Sequence, residues 1–113
     1  NRMINKISNI IFAEKKLEEQ FNNLDEKDET KKGLKRAMKD IKENPFCGTQ
    51  IPKKLIPKRY IQKYEIKNLW KYNLPNAWRV LYSIITPEKI EILSIIIDWF
   101  PHKKYERKFN YII

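Results

Sequence analysis

The sequence predicts an α+β fold, in which an N-terminal strand and a helical hairpin lie on one face of a twisted antiparallel sheet. Three observations predict it. Two stretches of the first half repeat apolar residues at helical spacing. Three closely spaced apolar segments in the second half carry strand-like composition. A proline-containing, lysine-rich stretch separates the two halves.

Asn9 to Phe12, "NIIF", opens as a short strand. Leu17, Phe21 and Leu24 then recur at spacings of four and three, one face of a helix. "LDEKDE" is a polar break, in which Asp25 or Asp28 can cap the next helix. Leu34, Ala37, Met38 and Ile41 share one face of that second helix, and Asn44-Pro45 stops it. Two amphipathic helices on a short link must lie on something, and the downstream strands supply it. Residues 49–68 read as a basic, ordered loop with a helical turn over Lys58–Tyr64, because Pro52 and Pro57 exclude a central strand. Strands follow at 69–74, 78–84 and 90–98, joined by "PNA" and "TPEK" into a meander. Its last strand is apolar enough to be central in the sheet or buried on both faces. The tail "HKKYERKFNYII" reads as a short helix or an edge strand.

At 113 residues the chain suits one domain, residues 1–113. No apolar run approaches the roughly 20 residues of a membrane span, and no signal sequence is visible. The lone Cys47 excludes an intrachain disulfide and accords with a cytoplasmic setting. One Cys and one His do not make a usual zinc site, so no metal or cofactor is expected. Two glycines cannot build a phosphate-cradling loop. The net charge is +10 and unevenly placed. Residues 1–50 carry 11 Lys/Arg against 9 Asp/Glu, and residues 51–113 carry 13 against 5. The second half therefore suits a surface that faces an anionic polymer.

What remains for chemistry is a set of cations and aromatics. Arg79 stands inside the apolar strand "WRVLYSI", where a charge needs a partner or an open face. Its guanidinium can serve a structural ion pair, with Asp98 as one candidate, or hold a phosphate bidentately. If Leu74–Ala77 form the first turn, Tyr72 lies opposite Arg79. If the second turn centres on Pro87-Glu88, Arg79 lies near Ile96. Lys71, His102, Lys103 and Tyr105 complete a candidate catalytic set, with His102 the only imidazole. Such a set suits metal-free RNA cleavage: a base takes the 2′-hydroxyl proton, an acid protonates the leaving 5′-oxygen, and cations neutralise the phosphorane. Histidine ionises near neutral pH and suits either proton role. Lys53, Lys54, Lys58 and Arg59 of the loop, with Lys104, Arg107 and Lys108 of the tail, are the candidate RNA-binding cations. Neighbouring aromatics offer stacking platforms for bases.

"FAEKKLEEQF", "LKRAMKDIKENPFCG", "LWKYNLPNAWRVLYSI" and "IIIDWFPHKKYERKF" together resemble the RelE/ParE superfamily of type II toxin–antitoxin systems, over residues 9–111. The insert "TQIPKKLIPKRYIQKYEIKN" resembles an archaeal-like RelE branch. The resemblance implies a small α+β toxin neutralised by a cognate antitoxin that wraps it through an acidic or amphipathic segment. RelE-like members cleave mRNA in the ribosomal A site, whereas ParE-like members poison gyrase. The arginine of the family's "YRLVY"-type strand contacts the scissile phosphate, and Arg79 matches it. The preceding strand of that branch carries two alternate lysines. Lys71 matches the first, and Asn73 stands at the second. His102 and Lys103 fit the cationic positions after the last strand. Tyr105 comes earlier than the usual aromatic, and Phe109 and Tyr111 come later. The function implied is a cytoplasmic endoribonuclease acting on ribosome-bound mRNA. The alternative is a non-catalytic protein on the same fold: a gyrase poison, or an RNA- or antitoxin-binding relic.

Overall fold

The structure is a computed structural model that describes residues 8–88 and 91–101. It is α+β, with three helices and a five-stranded sheet. In chain order the elements are β1 (Asn9–Phe12), α1 (Lys15–Asn23), α2 (Glu29–Glu43), β2 (Thr49–Gln50), α3 (Lys58–Tyr64), β3 (Trp70–Asn73), β4 (Trp78–Glu88) and β5 (Glu91–Pro101). The sheet order is β1-β5-β4-β3-β2. β1 runs parallel to β5 and the other pairs are antiparallel, so the sheet is mixed rather than antiparallel as expected.

The hairpin of α1 and α2 forms for the reasons its sequence states. Asp28 caps α2 by accepting from the Thr30 amide at 2.7 Å. Asn44 ends α2, and its side chain accepts from the Phe46 amide to start a 3-10 turn at Pro45–Cys47. Lys31, buried on α2, donates to the Leu24 carbonyl beyond the end of α1 at 3.0 Å and pairs with Glu26. Leu34, Ala37 and Ile41 of α2 pack on Val80, Tyr82, Ile84 and Ile96.

The opposite face of the sheet is covered as well. Ile51, Ile56, Tyr60 and Ile66 lie on Leu81, Ile97 and Phe100 in a second apolar cluster. The basic stretch is thus amphipathic despite its two prolines. It places four apolar side chains inward and Lys53, Lys54, Lys58 and Arg59 outward, all exposed. α3 occupies the predicted residues, while β2 is a short strand where a loop is expected. Three layers result: helical hairpin, sheet, and covering segment.

Both predicted registers are corrected. Asn73, not Tyr72, lies opposite Arg79, because the turn closes between Leu74 and Trp78 around three residues rather than between Asn73 and Trp78 around four. The Leu74 amide donates to the Trp78 carbonyl at 2.8 Å, and Ala77 adopts the left-handed region at φ 66°. This is the three-residue hairpin geometry that favours glycine at that position. Arg79 lies opposite Phe100, not Ile96. β4 continues through Pro87 to Glu88, which pairs with Glu91, so Pro87-Glu88 is strand where the turn is expected. Pro87 is tolerated because the ladder is irregular between Ile85 and Glu88. A second irregularity sets Ile97 as an extra residue on β5, since Leu81 pairs with Asp98 while Tyr82 pairs with Ile96. The bulge shifts the phase of the strand: Ile92 and Ile96 face the helices, and so does Trp99. Ile97 and Phe100 face the covering segment.

Candidate functional site

Lys71 and Arg79 stand on adjacent strands and share the face that carries the covering segment. Lys71 pairs with Leu81, and Arg79 with Asn73, so the two cations sit on a diagonal. In antiparallel sheets such diagonal neighbours are roughly 7–8 Å apart, within reach of long side chains. Both are half-buried. Burial lowers the Lys71 pKa, and the nearby Arg79 charge lowers it further. Phe100 walls Arg79 on the far side, and Asn73 offers an amide on the near side.

The described chain ends at Pro101, which pairs with Trp78, the residue before Arg79. His102, Lys103 and Tyr105, and the tail cations Lys104, Arg107 and Lys108, lie outside the described residues. Lys53 and Lys54 lie on a 3-10 turn at Lys53–Leu55, and Lys58 and Arg59 open α3. These four cations belong to the layer on the Lys71/Arg79 side of the sheet.

Two tyrosines of β3 and β4, Tyr72 and Tyr82, point the other way. The buried Tyr82 hydroxyl donates to the Pro45 carbonyl at 2.6 Å and accepts from the Gly48 amide at 3.1 Å. Tyr72 donates to Asp40 of α2, and burial with that carboxylate pushes its pKa up to about 12. Both tie the sheet to the helical layer. Gly48 is required there: a Cβ would lie 2.5 Å from the Lys71 carbonyl oxygen and 2.7 Å from the Tyr82 hydroxyl. Cys47 is exposed, but desolvation, and next the Asp40 charge, push its thiol up, opposite to an activated nucleophile.

The sequence reading missed a cleft of about 500 Å³ between α1, α3 and β5. Arg59, Tyr60, Lys63 and Tyr64 line it from α3, Lys16 and Gln20 from α1, and Asp98 from the β5 bulge. The signal in the sequence was "RYIQKY", two cation–aromatic pairs one helical turn apart. In the structure the Arg59 guanidinium lies 5.2 Å from the Tyr60 ring centroid, and the Lys63 ammonium 5.4 Å from that of Tyr64. Glu14 bridges to Lys63 at 3.2 Å and accepts from Tyr64 at 2.8 Å. The Tyr64 hydroxyl, then Lys63, hold the Glu14 carboxyl below its usual range.

Among the described residues, no three His, Cys, Asp or Glu side chains group to hold a metal ion. No described helix is long and apolar enough to cross a membrane. No family model matches the chain, and no curated protein or solved structure matches it either.

Proposed function

We propose that this chain is a RelE-like endoribonuclease that cuts mRNA on the ribosome and so inhibits translation. The observation that carries the proposal is the Lys71/Arg79 diagonal, with the Lys71 pKa lowered by burial and by Arg79. In this reading Arg79 grips the scissile phosphate and takes up the charge that develops on it. The 2′-oxygen bonds to phosphorus and the bond to the 5′-oxygen breaks, leaving a 2′,3′-cyclic phosphate and a 5′-hydroxyl. One group accepts the 2′-hydroxyl proton and another donates to the leaving oxygen. Lys71, His102, Lys103 and Tyr105 are the candidates for these two roles. Lys53, Lys54, Lys58 and Arg59, with Lys104, Arg107 and Lys108, hold the RNA backbone. The partners in this reading are mRNA, the ribosome and a cognate antitoxin with an acidic or amphipathic segment that folds on binding.

An in vitro translation reaction with toe-printing tests the proposal. Wild type should produce codon-dependent cuts. Arg79→Ala should lower cleavage about 10²–10³-fold, the scale for losing one preorganised electrostatic donor. Lys39→Ala, exposed on α2, should leave it unchanged. A folded wild type that never cuts would falsify the proposal.

Asn73 favours a second reading. It pairs with Arg79 where the RelE pattern has a second lysine, so a neutral amide stands next to the guanidinium. A non-catalytic protein, whether gyrase poison or RNA- or antitoxin-binding relic, needs no charge there. Toxicity that persists in the Arg79→Ala, His102→Ala double variant would support this second reading.

A further inference from the structure

We propose that the cleft between α1, α3 and the β5 bulge binds one nucleotide of the RNA beside the cut, with its phosphate on the cationic rim and its base edge toward Asp98. The inference rests on the ribonuclease reading for the source of that nucleotide. Its geometry rests on the cleft alone.

The bulge at Ile97 makes the site. β1 ends at Phe12 opposite Ile96, and the Ala13 amide closes the pairing on the Ile96 carbonyl at 2.8 Å. Beyond that point, among the described residues, β5 has a neighbouring strand only on its β4 side. A bare strand edge would invite another strand. Here the Trp99 amide is taken by the Asp98 carboxylate at 2.8 Å, and Pro101 has no amide to offer. The edge is therefore poorly suited to strand addition, and the cleft is left to a compact ligand. Its size of about 500 Å³ falls within the ordinary range for small-molecule sites and exceeds what a lone ion needs.

The charges are mixed, as a nucleotide's groups are. Lys16, Arg59 and Lys63 come from two helices to one rim. Glu14 is already engaged by Lys63 and Tyr64, which leaves a cationic surplus for a phosphate. Asp98 presents an acceptor on the strand side, suited to an exocyclic amine of a base. Tyr60 also lines the cleft, and its buried hydroxyl has no hydrogen-bond partner of good geometry among the described residues. A ligand that displaces the Arg59 side chain from the Tyr60 ring can reach it. Asp98 shares a sheet face with Arg79 and lies one diagonal from it, so a chain held at Arg79 can continue into the cleft.

An amide-resolved NMR titration of the whole chain with CMP and UMP tests this without any cleavage readout. Saturable shifts should concentrate at residues 14–20, 59–64 and 97–99, with CMP about tenfold tighter than UMP. Arg59→Gln, at an exposed side chain, should weaken both about tenfold. Asp98→Asn should bring the CMP/UMP ratio toward one; if that variant fails to fold, Gln20→Ala, also exposed, with Arg59→Gln decides the matter. Lys39→Gln with Lys42→Gln on α2 should change nothing. No saturable shift, or shifts that survive Arg59→Gln unchanged, overturns the cleft. Nucleotide binding without RNA cleavage overturns the ribonuclease proposal and leaves the cleft standing.

Discussion

Ala77 has φ 66° in the turn between β3 and β4. A β-carbon in the left-handed region costs roughly 1–2 kcal/mol, and glycine avoids that cost. Ala77→Gly should therefore stabilise the chain by up to about 1 kcal/mol after the extra unfolded-state entropy of glycine is subtracted. Urea denaturation measures it, and a loss of stability would refute the turn geometry. Glu26 makes a second case. Its hydrogen bond with Lys31, and then that with Lys35, lower its pKa from the usual 4.5 to about 2. A carboxyl with a depressed folded pKa contributes stability above its unfolded pKa, and loses it as pH falls through the folded one. The Tm of wild type should accordingly fall between pH about 4.5 and about 2, and Glu26→Gln should flatten that part of the profile. Glu26 is exposed, so solvent screening keeps the effect small. At this scale the sequence was informative about identity and silent about direction. Arg79 and Lys71 could be named as cations worth watching. Tyr72 and Tyr82 could not be assigned to the helical face, because a slip of one residue exchanges the faces of a strand.

Among the elements, the covering segment differs most from its sequence reading. Pro52 and Pro57 correctly excluded a central strand, but they said nothing of the apolar residues between and after them. Ile51, Ile56, Tyr60 and Ile66 follow neither a period of 3.6 nor one of 2, since they span two short helical turns and their links. Packing on Leu81, Ile97 and Phe100 decides their placement. Ile56, 6% exposed, and Ile61, 41% exposed, separate the inward from the outward side. Ile56→Ala should cost about 2–5 kcal/mol by leaving a cavity over the sheet, whereas Ile61→Ala should stay within about 0.5 kcal/mol. Equal effects in urea denaturation would mean that the segment does not pack as described. The helical hairpin was legible in the sequence because the Asp28 cap of α2 and the periodic apolar faces are local. The ends of β4 and β5 were not, because Pro87 resembles a turn residue until the bulge that accommodates it is seen.

At the scale of the molecule, the charge asymmetry of the sequence becomes a placement. The Lys53, Lys54, Lys58 and Arg59 cations ride on the layer that covers the Lys71/Arg79 face, so the basic half presents one side of the sheet. By itself the sequence determined the α+β class, the helical hairpin, the approximate strands and the surplus of cations. Composition, capping and apolar spacing act over a few residues and can be read in order. Only the tertiary structure decided that β1 joins β5 in parallel, that the second face of the sheet is covered, and that Arg79 meets Asn73 and Phe100. It alone decided that Lys16, Arg59 and Asp98 line one cleft. Those outcomes depend on register, bulges and the packing of distant segments, each set by which faces can be buried together rather than by any local run of residues.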